Sequence, residues 1–367
     1  MEMNRLAEER AAMGADVLHL EVGQPAAGAP RGVRDAVARA VDNATLGYTT
    51  ALGLPELRAR IAAHYADWYS VDVDPSRVIV TAGASGGFVL AFLACFDTGD
   101  RVGVTEPGYP CYRNTLAALG VTPVAIPVGA ETRYAPTPEL IDAAAPLDGL
   151  VIASPSNPTG TVIPATQLAA IVDHCRDRGI AVIADEIYHG ITYGAPAASA
   201  LAMSDDVVVM NSFSKYFAMT GWRLGWLVVP PALIPAIEKF AQNLYICAPH
   251  VSQVAGMAAF DCHEELRGNV IALAETRDVM LNGLRAAGLT EFAPCDGAFY
   301  AYVDVSGLTD DSQKLCRTWL DELGVAVTPG IDFDPVRGHR FVRFSFAASR
   351  ANVSEAVARL VEWTKRR

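Results

Sequence analysis

The sequence predicts an α/β fold: a mostly parallel sheet in a large domain, helices on both of its faces, and a smaller α+β domain beside it. Three observations predict it. From Val78 to about Val229, short β-branched runs alternate with longer stretches of helical period. The short runs are apolar throughout rather than alternating with polar residues, as strands covered on both faces are. From about Glu291 onward the pattern changes to mixed strands and helices. Strands that alternate with helices in this way build a parallel sheet.

In chain order, the strand-like runs are Val78–Thr81, Arg101–Val104, Thr122–Ile126, Leu150–Ala153, Ile180–Ala184, Val207–Met210 and Trp226–Val229. Between them Gly86–Phe96, Tyr112–Leu119 and Pro164–Arg178 have helical character, the last with Pro in its first turn and Gly179 as its stop. The stretch from Pro231 to about Ala287 is nearly all helical, and Val353–Lys365 closes the chain as a helix. No repeat, low-complexity tract or flexible linker interrupts it.

Composition narrows the function classes. The 367 residues suit one large domain and a smaller one. Hydrophobic residues make up 51% and charged residues 19%, which predicts a compact soluble protein rather than a disordered one. Lys and Arg number 29 against 41 Asp and Glu, a formal charge of −12, and no basic run breaks that balance; nucleic acid and anionic membranes are disfavoured as partners. The first ten residues carry charges of both signs and read as no secretory signal. The longest apolar stretch, Phe88 to Phe96, is far short of the roughly 20 residues of a spanning helix. Cytoplasmic residence is the expectation. The seven cysteines are scattered and never spaced C-x-x-C, which predicts neither a disulfide framework nor a metal site.

The two commonest phosphate loops of parallel-sheet proteins are missing. Residues 78–92 nevertheless run strand, glycine-rich turn, helix, and the amides of Gly83, Ala84 and Ser85 at a helix N-terminus would form an anion site. A glycine turn before a helix is more often only a connection. A second segment, Ser212-Phe-Ser-Lys215 continuing to Arg223 and Trp226, follows a strand and gathers two serine hydroxyls, a Lys and an Arg among aromatic residues. Desolvation there would favour the neutral, nucleophilic amine of Lys215. Ser154 to Gly160 and Ala184 to Tyr188 also begin where strands end, which is where open parallel sheets hold ligands. Taken singly, Asn157 is equally a turn residue before Pro158, and Asp185 a solvated acid.

Together these segments resemble the fold-type I pyridoxal-phosphate enzymes, specifically the class I/II aminotransferase family. The resemblance runs through VGQP at 22–25, GYTTALGLPELR at 47–58, TAGAS at 81–85, EPGYPCY at 106–112, SPSNPTG at 154–160, ADEIY at 184–188, SFSK at 212–215 with TGWRLGW after it, DGAFY at 296–300 and VRFSFA at 342–347. It implies pyridoxal 5′-phosphate as cofactor and Lys215 as the Schiff-base lysine that also moves protons between Cα and C4′. Asp185 would pair with the pyridine nitrogen. The sequence alone does not choose between Asp185 and Glu186; the resemblance selects the Asp. Asn157 and Tyr188 would hydrogen-bond the phenolic oxygen, and Tyr109 would stack on the ring. The phosphate would be held by Gly83, Ala84 and Ser85, by the Ser212 hydroxyl and by Arg223. Tyr48 resembles the tyrosine that reaches the phosphate of a neighbouring subunit, which implies a homodimer with shared sites. Arg343 would clamp the substrate α-carboxylate, with Gly23 and Asn157 beside it. The same resemblance groups residues 45–287 as the large cofactor-binding domain and packs 1–44 with 288–367 as the small one.

Three departures from the family pattern bear on specificity. The chain starts close to the first family segment, VGQPAAGAP stands where acidic and aromatic residues are common after the glycine, and residues 243–253 contain no Arg. Members that prefer dicarboxylates often carry a second Arg near that last region, so neutral or aromatic side chains are expected here. The expected activity is transfer of an amino group between an amino acid and a 2-oxo acid in two half-reactions, through pyridoxal and pyridoxamine phosphate. The alternatives are a carbon–sulfur lyase or related eliminating enzyme on the same fold, and a non-catalytic amino-acid-binding module.

Overall fold

The computed structural model describes residues 2–366. It opens with α1 (Glu2–Ala12), β1 (Leu18–His19), α2 (Arg31–Asn43) and α3 (Pro55–Tyr69). An alternating region follows: β2 (Val78–Thr81), α4 (Gly83–Cys95), β3 (Arg101–Glu106), α5 (Pro110–Ala118), β4 (Thr122–Pro127), α6 (Pro138–Ala143), β5 (Gly149–Ala153), α7 (Ala165–Asp177), β6 (Ala181–Asp185), β7 (Val208–Ser212) and β8 (Gly225–Val228). Then come α8 (Ile234–Leu244), α9 (His250–Ala259), α10 (His263–Ala286), β9 (Tyr300–Asp304), α11 (Ser312–Leu323), β10 (Val325–Ala326), β11 (Thr328–Pro329), β12 (Phe341–Ser345) and α12 (Arg350–Lys365).

Seven strands form one sheet in the order β2-β8-β7-β6-β5-β3-β4. β8 runs antiparallel to both neighbours, and the other pairs are parallel. Side chains of a strand alternate between its faces, and here both faces are apolar. Leu150, Ile152, Val182, Ala184 and Val209 belong to one buried cluster, while Val151, Ile183, Val208 and Met210 belong to another that includes α4 and Tyr112 of α5. The chain goes from β3 out to β4 and returns to β5 on the other side of β3. This reversal leaves a crevice at the carboxyl ends of β3 and β5, the place where such sheets bind ligands.

β4 departs from the expectation that every strand is covered on both faces. It is the sheet edge, with Thr122, Ala125 and Pro127 exposed. Pro123 and Pro127, tolerated at edges because they need no ladder donor, were the signal. α4 starts three residues before the predicted Gly86, so Gly83 lies inside its first turn, and Pro164 caps α7 rather than occupying its first turn.

Beyond the large sheet, β11-β12-β9 form a three-stranded sheet, and β1 pairs in parallel with β10. The Ser345 amide donates to the Leu20 carbonyl at 2.7 Å, which ties the N-terminal segment to β12. α1 docks on α11 through Glu2 to Arg317 at 2.6 Å and Arg10 to the Asp321 carbonyl at 2.7 Å. α2 does not follow the expectation that all of residues 1–44 pack with the C-terminal part: it lies on α9, with the Arg31 amide donating to Glu265 at 3.2 Å. No helix among the described residues is long and apolar enough to cross a membrane.

Candidate active site

A cavity of about 870 Å³ opens at the carboxyl ends of β3, β5, β6 and β7, and residues of β9, β11 and β12 close its far side. Lys215, three residues beyond β7, projects into it. Its Nζ donates to the Gly23 carbonyl at 2.6 Å and lies 5.8 Å from the ring centres of both Tyr188 and Phe299. Burial, reinforced by repulsion from Arg343 and Arg223 and opposed by Asp185, brings the ammonium down to about 8. Near neutral pH Lys215 is therefore the neutral amine far more often than an exposed lysine, with the ammonium still the major form.

Two adjacent carboxylates end β6, and the structure sends them to opposite sides. Asp185 lines the cavity, accepting a hydrogen bond from the Tyr112 hydroxyl and another from the Ile187 amide at 3.0 Å. Burial raises it to about 6 against those hydrogen bonds and the Lys215 charge. Glu186 turns away from the cavity. It accepts from the Ser199 hydroxyl at 3.0 Å and the Ala200 amide at 2.7 Å, and burial lifts it to about 8.

At the N-terminus of α4, Ala84 and Ser85 line the cavity and Gly83 adopts φ +71°, a conformation that disfavours other residues. A Cβ on Gly83 would come within 2.4 Å of the Arg223 guanidinium, so the glycine lets the Arg lie against the helix start. Arg223 is itself held in the left-handed region at φ 51°, with Nη1 donating to the Thr220 carbonyl at 3.0 Å. Helix amides and an Arg fork converge here on one volume suited to a phosphate-type anion. The Ser212 hydroxyl is buried just behind the wall, 2.9 Å from the Ser214 hydroxyl and 3.1 Å from the Leu224 carbonyl, and accepts from the Ser214 amide at 3.0 Å; Ser214 itself lines the cavity. Tyr48 is 81% exposed and stands outside this chain's cavity.

Arg343, at the middle of β12, is buried in the opposite wall. Nη1 donates to Asn157 at 3.0 Å and Nη2 to Thr328 at 3.2 Å and to the Glu21 carbonyl, while Nε has no hydrogen-bond partner among the described residues. The guanidinium lies 4.3 and 4.7 Å from the ring centres of Tyr300 and Phe333. The Tyr188 and Tyr300 hydroxyls are 2.8 Å apart, and Tyr109 caps α5 at the cavity edge, edge-on to Tyr112. Gly23 packs so closely that a Cβ there would lie 1.8 Å from the Tyr300 hydroxyl oxygen.

The structure thus brings Lys215, Asp185, Asn157, Tyr188, Tyr109, Arg223, Arg343, Gly23, Ala84 and Ser85 to one cavity. Sequence reasoning missed Tyr112, Ser214, Tyr300, Phe333 and the inner face of α1, from which Asn4 and Glu8 reach the cavity mouth. Tyr112 carried a usable signal: it lies one helical turn after Tyr109. No group of three or more His, Cys, Asp or Glu side chains among the described residues is arranged to hold a metal.

The family described as Aminotransferase class I and II matches residues 15–360. The chain is 50% identical to the valine–pyruvate aminotransferase of Mycobacterium tuberculosis, over 99% of this chain and 95% of that protein. A crystal structure of an aminotransferase from Mycobacterium tuberculosis superposes with a TM-score of 0.98 at 49% identity, covering 100% of this chain and 96% of the other. One of a putative aminotransferase from Silicibacter pomeroyi gives 0.94 at 49%, with the same coverage.

Proposed function

The chain belongs to the class I and II aminotransferase family, and from that premise we propose that its cavity uses pyridoxal 5′-phosphate to exchange amino groups between neutral amino acids and 2-oxo acids. It is an aminotransferase of fold type I; the proposal concerns its cofactor, its residues and its substrates. The donor set fits that cofactor. The start of α4 and Arg223 suit its phosphate, Asp185 its ring nitrogen, and Asn157 and Tyr188 its phenolic oxygen. Ser214 lines the cavity wall, with the Ser212 hydroxyl just behind it. When bound, the cofactor supplies an aldehyde carbon and a ring that draws electrons from the substrate Cα.

The chain's own residues do the rest. Arg343, packed against two rings, fixes the substrate carboxylate and with it the direction of the Cα–H bond. Lys215 takes the proton from Cα and later returns one, and its lowered pKa suits both tasks near neutral pH. Gly23 supplies a carbonyl to Lys215 and room for Tyr300. The observation that carries the reading is a depressed amine facing both a buried carboxylate and a buried guanidinium across one cavity.

The relative's name, and the absence of Arg from residues 243–253, support neutral side chains such as that of valine. The names of the relatives disfavour the lyase alternative. Tyr48, Leu244 and Ile246 are all exposed, and Gly47 and Thr49 bond His250 and Cys247, which ties the Tyr48 segment to the one after α8. These exposed apolar side chains support a homodimer in which Tyr48 reaches the partner's site. We place the enzyme in the cytoplasm, and we read 45–287 as the cofactor-binding domain, with 1–44 and 288–367 as the small domain apart from the α2 packing described above.

Protein incubated with pyridoxal 5′-phosphate, L-valine and pyruvate should yield L-alanine and the 2-oxo acid of valine in equal amounts. Release of ammonia or an eliminated fragment instead would move the enzyme to the lyase class. Gly23→Ala should lower kcat/KM about 10²-fold, since a Cβ displaces either Tyr300 or the Lys215 acceptor by more than an ångström. Kinetics within threefold of wild type would remove Gly23 from the site.

A further inference from the structure

Arg113 stands on α5 in the cavity wall, where a second guanidinium would suit a substrate with a second carboxylate. Its hydrogen bonds point elsewhere. Nη2 donates to the Asp332 carbonyl at 2.6 Å and Nη1 to the Phe333 carbonyl at 3.4 Å, which also accepts from the Gly108 amide at 3.0 Å. These carbonyls belong to residues 330–338, a loop closed on itself. The Phe333 and Asp334 amides donate to the Gly330 carbonyl at 2.9 and 3.0 Å, and buried Asp334 accepts from Arg337 Nε at 2.8 Å. Arg337 then reaches across to the carbonyls of Glu106 and of Val128, the latter at 3.1 Å. The loop is therefore fastened to the β3–β4 side of the cavity by Arg113, by Arg337 and by the Gly108 amide.

That loop carries one of the two rings against Arg343. Phe333 is buried and its ring centre is 4.7 Å from the Arg343 guanidinium, whose other aromatic neighbour is Tyr300 at 4.3 Å. Two aromatic contacts limit the orientations open to a guanidinium fork, and moving one ring loosens it. Charge-assisted hydrogen bonds from a half-buried guanidinium belong to the stronger class, so losing them loosens the ring's mounting.

We propose that Arg113 is a positioning residue for the substrate carboxylate: through the carbonyls of Asp332 and Phe333 it holds the Phe333 ring against Arg343. The proposal rests on the reading of Arg343 as the carboxylate clamp. It sets Arg113 apart from a binder of side-chain carboxylates, although the residue lines the cavity.

The test begins with wild-type transamination; if that is absent, the functional reading fails, not this proposal. Arg113→Met keeps the stem and removes the donors. KM for L-alanine, L-valine and L-aspartate should rise by a common factor of about tenfold with kcat within about twofold. The Kd of propanoate, measured calorimetrically on the loaded enzyme, should weaken by the same factor, and Arg113→Lys should recover part of it. An effect confined to L-aspartate would mean that Arg113 touches the side-chain carboxylate, which overturns the proposal. So would an unchanged propanoate Kd, or a fall in kcat at constant KM, in a variant that melts like wild type. Should Arg113→Met not fold, Phe333→Leu carries the test: it must weaken propanoate binding likewise, and an unchanged Kd overturns the proposal.

Discussion

Lys215→Ala should lower transamination by about 10³–10⁴-fold, because one side chain is asked to be both nucleophile and proton carrier. Among the described residues lining the cavity Lys215 is the only lysine, so no second amine stands ready to replace it. The nearby Tyr188 hydroxyl is no substitute, since burial pushes it well above the ordinary range of a phenol. Borohydride treatment of cofactor-loaded wild type should leave the cofactor's mass on the peptide containing Lys215, and the variant should show none. The pH dependence has a definite sign. A lysine at about 8 is about half neutral at pH 8, whereas one at the ordinary value of 10.5 is about 0.3% neutral. Covalent attachment of the cofactor to the free protein should therefore rise with pH and level off just above 8. A rate that climbs unchecked to pH 10 would mean that burial does not tune this amine. Activity within tenfold of wild type in Lys215→Ala would take the residue out of the mechanism.

Which side of a strand end a residue occupies separates what was legible in the sequence from what was not. The alternation of apolar runs and helices fixed the β-α order, and with it the fact that Tyr109, Asn157, Asp185 and Lys215 follow strand ends on one edge of the sheet. The choice between Asp185 and Glu186 needed register. Ile183 packs into the cluster beneath α4 and α5, so Asp185, two residues on, points the same way and meets Tyr112 of that cluster. Glu186 starts the turn and leaves for Ser199. Ser212 ends β7 with its hydroxyl near Leu224 and Ser214, while Ser214, in the turn beyond the strand, lines the cavity. No local pattern announces where the strand stops and the turn begins to face the cavity. Arg113, Phe333 and α1 were invisible for another reason. They come to the site from elements far apart in the chain, through contacts such as Arg10 to Asp321 that no motif records.

Asp185→Asn should lower kcat/KM by about 10²–10³-fold, the usual loss when one preorganised electrostatic group is removed from a water-poor site. The substitution keeps shape: its one oxygen can still accept from the Ile187 amide, and the Tyr112 hydroxyl can turn to accept from the new NH2 group, so the fold should persist and the loss reflect charge. Burial has already raised this carboxyl to about 6, so in the free protein its anion lacks a full counter-charge; a protonated ring nitrogen would supply one and draw its pKa down. The consequence for stability has a fixed sign. A carboxyl whose folded pKa exceeds its unfolded value of 3.8 contributes stability below that value, and the contribution is lost as pH rises through about 6. Free wild type should therefore lose melting temperature relative to Asp185→Asn across pH 4 to 6, and cofactor loading should reverse the order. Glu186→Gln is the control beside it. That residue, raised to about 8 and bonded to Ser199 and Ala200 away from the cavity, should alter the pH dependence of melting up to about 8 while turnover stays within a few-fold. If Glu186→Gln instead proved as damaging to turnover as Asp185→Asn, the two acids would be acting as one unit, and assigning the ring nitrogen to Asp185 alone would be wrong.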